Sequence, residues 1–290
     1  MTPELRRGVF WLVVSELCYT VMRLAARAGA SDLPWAEFAA ARFLGGAVVA
    51  IVAARARGSS LRIGDTRNAW LRSLFGTGSA VCLFHALGTK TIAVGDATVL
   101  YATAPLWVAL FSGPMLRERV GRTVWAGIAV GFVGVAVLLQ AGIAWSNPTA
   151  LLVILGSVSY AIALLRLRRL TGYESSEAIA LHMSLTAGVT MLLIALPSIR
   201  PVRAAAYLPL LGGAVAGGLG QLAVGRAYAQ ASAARMSALT YSGVLFTYVA
   251  EALLFRRAPG FAQCAGAVLV VAGGVLVSGL MTPSAAVVAE

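Results

Sequence analysis

Apolar runs of about twenty residues recur along the whole chain, and short polar segments separate them. A helix needs about 20 residues to cross roughly 30 Å of hydrocarbon, and runs of this length predict helices, which bond their own backbone groups in lipid. We therefore expect an all-α integral membrane protein with ten transmembrane helices, at about 8–28, 35–54, 69–88, 95–116, 121–140, 149–167, 176–196, 207–228, 235–255 and 260–281.

The composition agrees with a bacterial inner (plasma) membrane protein. The chain is 59% apolar and 12% charged, whereas soluble domains are roughly 25% charged. A net charge of +12 would suggest nucleic acid in a soluble chain, but here most arginines flank apolar runs, so no nucleic-acid partner is expected. The first run follows Arg6 and Arg7 as in a signal peptide, but further runs follow it, so we interpret it as a retained helix.

Basic residues predict the orientation. More of them fall on one side of the predicted membrane topology than on the other. Because basic residues are more frequent on the cytoplasmic side, we assign that side, which also carries both termini, to the cytoplasm. That side collects Arg6, Arg7, Arg55, Arg57, Arg62, Arg67, Arg72, Arg117, Arg119, Arg122, Arg166, Arg168, Arg169, Arg226 and Arg235. The pair Arg256-Arg257 falls on the other side and is the weakest point of this topology.

The chain repeats itself. Tyr101 matches Tyr241, 140 residues later. With an offset of 139, Gly121, Gly127 and Gly134 match Gly260, Gly266 and Gly273. The two halves, 1–145 and 146–290, would each hold five spans, and an odd number of spans forces opposite orientations. Inverted repeats are typical of transporters that alternate access around a midplane site.

Residues 84–139 and 220–277 also resemble the two EamA-type repeats of the drug/metabolite transporter superfamily. The resemblance lies in an alanine-rich run with Pro105 that ends in Arg117-Glu118, followed by a glycine-spaced span. It implies ten helices in two inverted bundles and small organic substrates, and within the superfamily the chain looks most like bacterial amino-acid exporters of the YddG type. Arg256-Arg257 departs from the family pattern, which often has a glutamate after that span.

Two spans combine polarity with helix-breaking residues. Pro105 has no N–H for the carbonyl of Tyr101, which then needs another partner in lipid. We expect a kink there, with Tyr101 and Trp107 as substrate contacts, although a packing role for the kink is the alternative. The ninth span has a flexible Ser242-Gly243 pair instead. Its polar stripe makes two further binding candidates, Tyr241 and Tyr248.

Two acids are candidates for coupling to protons. A charge within a span costs at least about 2.5–3.5 kcal/mol, so Glu16 should face the interior, paired with Arg23 or Arg42 or working in proton transfer. Glu251 lies closer to the membrane surface and is the second candidate.

Three further residues are candidates for the cavity lining: His85, Tyr19 and Tyr160. Tyrosines at such positions can equally be hydrogen-bonded packing residues. Two isolated histidines and three unpaired cysteines do not form a metal site, and we expect no cofactor.

The preferred function is a secondary transporter that exports small metabolites, above all aromatic and neutral amino acids, with protons as a candidate coupling ion. The chain has no Walker A motif to use ATP directly. Uptake, or export of other metabolites or drugs, is the alternative. A membrane-embedded enzyme is disfavoured because no nucleophile–base pair or ligand cluster is present in the sequence.

Overall fold

The computed structural model describes residues 2–29, 34–89, 91–92, 94–140, 148–199, 204–254 and 260–278. Its regular elements in these ranges are all helical, which confirms the all-α class. The helices are α1 Pro3–Gly29, α2 Trp35–Arg57, α3 Thr66–Thr89, α4 Val94–Tyr101, α5 Ala104–Leu116, α6 Arg122–Leu139, α7 Pro148–Leu170, α8 Ser176–Ala195, α9 Ala204–Gln230, α10 Ala233–Leu239, α11 Tyr241–Leu254 and α12 Phe261–Ser278, with a 3-10 turn at Leu196–Ser198.

Eight helical stretches within the described residues are long and apolar enough to cross a membrane. They include the broken stretches Ala97–Leu116 and Ala233–Leu254. The other two expected spans are α3 and α12. Helix α12 is a shorter apolar helix, and α3 has 24 residues but carries arginines in its first two turns. The chain is therefore an integral membrane protein.

Local hydrogen bonds set several helix ends on one side of the bundle. Gly58 ends α2 in the left-handed conformation, with φ of 65°. Asp65 precedes α3 and accepts hydrogen bonds from the backbone N–H and side-chain amide of Asn68, at 3.1 and 2.6 Å, which lowers the pKa of Asp65. Ser175 caps α8 by accepting from the N–H of Ala178 at 3.0 Å. The turns on this side are consequently short and well defined.

The structure interrupts two of the spans. Helix α4 ends at Tyr101 and α5 begins at Ala104, so Pro105 occupies the first turn of a new helix, where its missing N–H is tolerated. In the ninth span α10 ends at Leu239 and α11 begins at Tyr241. Each interruption divides its span into a shorter first helix and a longer second one.

Glycines bring α6 and α12 into backbone contact. A Cβ on Gly127 would lie 2.8 Å from the carbonyl oxygen of Gly273, and a Cβ on Gly134 would lie 3.0 Å from that of Gly266. A Cβ on Gly131 would meet the ring of Tyr241 at 2.6 Å. These glycines are packing residues, as the sequence predicted, because any larger side chain would separate the two helices.

One topological expectation needs correction. We counted Arg72 among the arginines of the cytoplasmic side, but the connection between α2 and α3 covers only residues 58–65. Arg72 lies inside α3 and is only 3% exposed. Asp65 caps α3 in front of Arg67 and Arg72, so both arginines belong to the helix.

Candidate functional site

The carboxylate of Glu16 lies inside the bundle. Glu16 is 4% exposed, and its Oε2 is 3.3 Å from a terminal nitrogen of Arg23, two turns further along α1. The sequence left Arg23 and Arg42 as alternative partners, and the structure selects Arg23. The buried carboxylate is thus paired with an arginine whose side chain is 40% exposed, which lowers the cost of the charge inside the bundle.

Helix α11 completes the surroundings of this ion pair. The guanidinium of Arg23 donates to the carbonyl oxygen of Gly243 at 3.2 Å and to Oγ1 of Thr247 at 2.9 Å. A Cβ on Gly243 would overlap Oε2 of Glu16. Gly243 is therefore required for the close approach of α1 and α11, beyond any hinge role.

Tyr19 and Arg42 meet where α1, α2 and α9 pack together. The Tyr19 hydroxyl donates to Oε1 of Gln221 at 3.1 Å. The guanidinium carbon of Arg42 lies 4.0 Å from the ring centroid of Phe43 and 5.8 Å from that of Tyr19. Its Nε points to the sulfur of Met22 at 2.8 Å. This half-buried arginine is thus held by aromatic faces and a weak sulfur acceptor.

Arg72 is buried between α3 and α8. One terminal nitrogen lies 3.3 Å from the sulfur of Met183, while Nε is buried and has no hydrogen-bond partner among the described residues. A Cβ on Gly76 would touch the same guanidinium, so the side chain extends along α3 towards Gly76, one turn further into the helix. The charge therefore lies deeper in the bundle than the Arg72 backbone.

Tyr101 and Tyr160 form a stacked pair at the interruption of the fourth span. Their ring centroids are 5.4 Å apart with an interplanar angle of 28°. The Tyr101 hydroxyl shares a hydrogen bond of 2.8 Å with Oγ of Ser79 on α3. A Cβ on Gly156 would lie 3.9 Å from the Tyr101 ring, so α7 passes close to it.

These groups are connected through shared neighbours. Arg42 lies beside the ring of Tyr19 and over that of Phe43, Phe43 shares a buried cluster with Met183, and Met183 contacts Arg72. The Arg72 guanidinium lies beside Gly76, and Ser79, three residues further along α3, shares a hydrogen bond with Tyr101. We call the region the central polar layer and define it as Glu16, Tyr19, Arg23, Arg42, Arg72, Ser79, Tyr101, Tyr160 and Gln221. It can supply cationic hydrogen-bond donors, hydroxyl groups and aromatic faces to a small molecule.

Two of the predicted contacts have apolar neighbours. Tyr241 is 3% exposed and packs against Gly131 in an apolar cluster with Val99 and Val270, and its buried hydroxyl has no hydrogen-bond partner among the described residues. Trp107 donates from Nε1 to Oγ1 of Thr103 at 3.2 Å, one turn from the Tyr101 pair.

The structure also describes two of the remaining candidates, His85 and Tyr248. His85 is exposed near the end of α3, and its ring meets Trp35 edge-on at 6.4 Å. Tyr248 is half-buried on α11. The side chain of Glu251 and the pair at 256–257 lie outside the described residues. Among the described residues, no group of three or more His, Cys, Asp or Glu side chains could hold a metal ion.

A second ionic cluster lies where α5, α7 and α10 meet. Oε1 of Glu118 accepts from Nε of Arg168 at 3.1 Å, and Oε2 accepts from the backbone N–H of Ala233 at 3.0 Å. Arg168 also donates to the carbonyl oxygen of Tyr228 at 2.9 Å. We call these four residues the Glu118 clamp. A cavity of about 450 Å³, lined in part by Glu118, lies beside it.

Sequence reasoning missed the arginines of the central polar layer. Arg42 was considered only as a partner for Glu16, and Arg72 was taken for a topology signal. Ser79 and Gln221 were also overlooked as parts of the layer. The signal available for both arginines was a charge inside a stretch otherwise long enough to span the bilayer.

Apolar helices that enclose charged and hydroxyl side chains are typical of membrane transporters. The chain belongs to the EamA-like transporter family, whose model matches residues 6–140 and 147–279. The membership inferred from the two repeats is thus confirmed.

Three similar proteins are named as exporters or transporters. The pseudopaline exporter CntI of Pseudomonas aeruginosa is 26% identical over 94% of this chain and 96% of its own length. The riboflavin transporter of Vibrio cholerae is 23% identical over 91% and 90%. The uncharacterized inner membrane transporter YedA of Escherichia coli is 30% identical over 66% and 65%. One solved crystal structure has the same fold, with a TM-score of 0.81 at 22% identity over 94% of this chain and 98% of the other.

Proposed function

We propose that this chain is a secondary transporter that moves small organic metabolites across the inner membrane by alternating access. Its two halves, 1–145 and 146–290, would be inverted five-span repeats with both termini in the cytoplasm. The observation that carries the proposal is the central polar layer, which places the charges of Glu16, Arg42 and Arg72 within membrane-spanning helices. Such charges are costly in lipid and are kept where a substrate or ion passes.

The glycine contacts between α6 and α12 support the inverted repeat. Gly127 and Gly266 are repeat partners, as are Gly134 and Gly273. Gly127 contacts Gly273 while Gly134 contacts Gly266, so each glycine meets the partner of the other. This reciprocal pattern is what a two-fold axis between the repeats would produce.

The helix neighbours follow the same rule. Exchanging the first and sixth spans, and likewise the third and eighth, converts the α1–α9 contact into the α7–α3 contact. Both contacts are extensive. Helices α2 and α8, which are repeat partners of each other, also pack together. A pair of similar halves can rock about such an axis and expose the central polar layer to each side in turn.

The Glu118 clamp fits the closed end of such a cycle. It joins Glu118 of the first half to Arg168 and Ala233 of the second, at the side that the arginine distribution assigns to the cytoplasm. Opening that side would break a charge-assisted hydrogen-bond network that spans the two halves.

The names of the relatives support small metabolites as the class of substrate. They do not indicate whether this chain exports its substrate or takes it up. One relative is named an exporter of pseudopaline and another a riboflavin transporter. Amino-acid export, with Glu16 as the coupling acid, is the narrower form of the proposal. Uptake of a metabolite is the second candidate, since architecture does not set direction.

Transport by the purified protein tests the proposal. Proteoliposomes with the full chain should accumulate at least one compound of a panel of labelled amino acids, organic acids, riboflavin and sugars, relative to empty liposomes, with and without a pH gradient. The Glu118→Gln variant should slow exchange, because the clamp contributes to one closed state. If monodisperse wild-type protein accumulates none of the compounds in the panel, the result would contradict the proposed function.

A further inference from the structure

Two arginines of the central polar layer differ from the paired arginines of the bundle. Arg23 pairs with Glu16, Arg168 with Glu118, and both Arg226 and Arg57 with Glu177. Within the described residues, neither Arg42 nor Arg72 forms an ion pair with a carboxylate.

The hydrogen bonds of these two arginines are also incomplete. A guanidinium has five N–H donors, and their only hydrogen-bond partners among the described residues are the sulfurs of Met22 and Met183. A thioether is a weak acceptor, and the buried Nε of Arg72 has none. An unsatisfied buried donor on a charged group is destabilising, so a stronger acceptor is to be expected from outside the protein chain.

The two guanidinium groups are connected through one packed cluster, although their helices start at opposite ends of the bundle. Arg42 lies seven residues after the start of α2, about 10 Å along the helix, and Arg72 six residues after the start of α3, about 9 Å. Helices α2 and α3 follow each other through a short turn, so their starts lie at opposite ends. The guanidinium of Arg42 lies over the ring of Phe43, Phe43 and Met183 belong to one buried cluster, and the sulfur of Met183 contacts Arg72.

The direction of the Arg72 side chain strengthens the case. A long basic side chain near a helix end usually extends back to the nearest water, which relieves its desolvation. Arg72 extends the other way, past Gly76 and deeper into α3. An arginine that only marks topology would not extend away from its helix end towards the buried sulfur of Met183.

The charges of the layer do not cancel. Glu16 and Arg23 neutralise each other, which leaves Arg42 and Arg72 as two positive charges among the described groups of the layer. We infer that the substrate carries an anionic group, a carboxylate or phosphate, which Arg42 and Arg72 bind, while the stacked rings of Tyr101 and Tyr160 contact its organic body. This inference rests on the proposed function, since it identifies the central polar layer as the transport site.

Ligand-dependent thermal unfolding of the purified full chain tests this inference without requiring transport. The probes are matched pairs that differ in charge: phenylalanine and phenylalaninamide, succinate and succinamide, glycerol 3-phosphate and glycerol, with inorganic phosphate as the free anion. At least one acid should raise the unfolding temperature, and its neutral or amidated partner should bind roughly tenfold to hundredfold more weakly, as expected for a charge-assisted bond.

The variants separate the site from general charge. Arg42→Gln and Arg72→Gln should each weaken binding of that acid by about tenfold or more, whereas Arg42→Lys should retain part of it. Arg55→Gln, an exposed arginine on the same helix, is the matched control and should bind as wild type does. Loss of folding in a glutamine variant would move the test to the lysine variant, whose reduced affinity would still be expected.

Equal protection by an acid and its amide, wild-type affinity in Arg42→Gln and Arg72→Gln, or no protection by any anion would overturn the inference. Protection by inorganic phosphate alone would overturn its assignment to an organic substrate. If anions give no protection but the same preparations transport neutral compounds, the anion site would be contradicted and the proposed function would still hold. Acid-specific protection without any transport would support the anion site and contradict the transporter.

Discussion

The two interrupted spans are matched in sequence but differ in what their tyrosines touch. At the fourth-span interruption Tyr101 stacks on Tyr160 and shares a hydrogen bond with Ser79. At the ninth-span interruption Tyr241 packs on Gly131 among aliphatic side chains, and its hydroxyl has no hydrogen-bond partner in the part of the chain that the structure describes. The sequence match between Tyr101 and Tyr241 therefore predicts where the backbone is interrupted, but it does not predict which residues surround each side chain.

The second interruption contributes to the central polar layer by its backbone instead. Gly243 leaves room for the Glu16 carboxylate, and its carbonyl oxygen accepts from Arg23. The described charges of the layer, Glu16, Arg23, Arg42 and Arg72, all come from the first half. The two interruptions thus contribute differently to the layer, so equivalent substitutions at the two interruptions should have different effects.

The largest difference is expected for glycines of the two interrupted spans. Gly243→Ala would place a methyl group where the Glu16 carboxylate lies, which costs about 1–3 kcal/mol or more of overpacking and separates α1 from α11. We expect loss of transport and reduced yield. Gly113→Ala in α5 is the control, because no atom lies within 4 Å of the added carbon, and transport should persist. If the Gly243→Ala variant transports substrate as the wild type does, the close contact between Gly243 and the Glu16 carboxylate is not needed for transport.

A smaller but specific loss is expected at the carboxylate that Gly243 accommodates. If transport is coupled to protons, Glu16→Gln should abolish accumulation against a gradient and leave substrate exchange, because the amide cannot release a proton. Proteoliposome flux with an imposed pH gradient, compared with counterflow, separates the two activities. Normal gradient-driven accumulation in this variant would exclude Glu16 as the coupling residue.

The tyrosines themselves should separate affinity from stability. Tyr101→Ala should raise the apparent substrate constant by roughly threefold to thirtyfold, since a ring contact contributes about 0.5–2 kcal/mol. Tyr241→Ala should instead lower the unfolding temperature, because truncating a buried aromatic ring costs about 3–5 kcal/mol. Kinetics and thermal unfolding of both variants provide the comparison. The reverse assignment of the two effects would restore Tyr241 to the binding site.

The smallest predicted difference concerns the hydroxyl groups. Tyr101→Phe breaks the bond to Ser79 and should cost about 0.5–1.5 kcal/mol in stability. Tyr241→Phe removes a buried hydroxyl that has no hydrogen-bond partner within the described ranges, so it should be neutral or stabilising. Unfolding temperatures measured side by side decide this, and a larger loss in Tyr241→Phe would mean that its hydroxyl has an acceptor.

The sequence predicted the large-scale features well because they depend on patterns that act locally. Run length and apolar character gave the helices, and glycine spacing gave the packing between α6 and α12. The residues of the site were harder to predict. Tyr101, Tyr160, Tyr19 and Glu16 were named, but Arg72 was counted with the arginines of the cytoplasmic side, although its side chain is buried in the bundle.

The reason is that the direction of a side chain depends on its neighbours from distant parts of the chain. Tyr241 turns to Gly131 because that glycine leaves space for a ring, and Arg72 turns inwards beside Gly76 towards Met183. A single span, considered alone, indicates which of its faces are polar. It does not indicate which of those faces meets the arginines of another span.

Substrate protection of two introduced cysteines tests the central claim most directly, namely that the polar layer beside Tyr101 is the transport site. Tyr101→Cys and Tyr241→Cys would be made in a chain whose Cys18, Cys82 and Cys264 are replaced, and alkylation followed with a transported organic acid. At ten times its dissociation constant the acid should slow labelling of position 101 by about tenfold and leave position 241 unchanged. Equal protection at both positions, or protection of position 241 alone, would contradict the account.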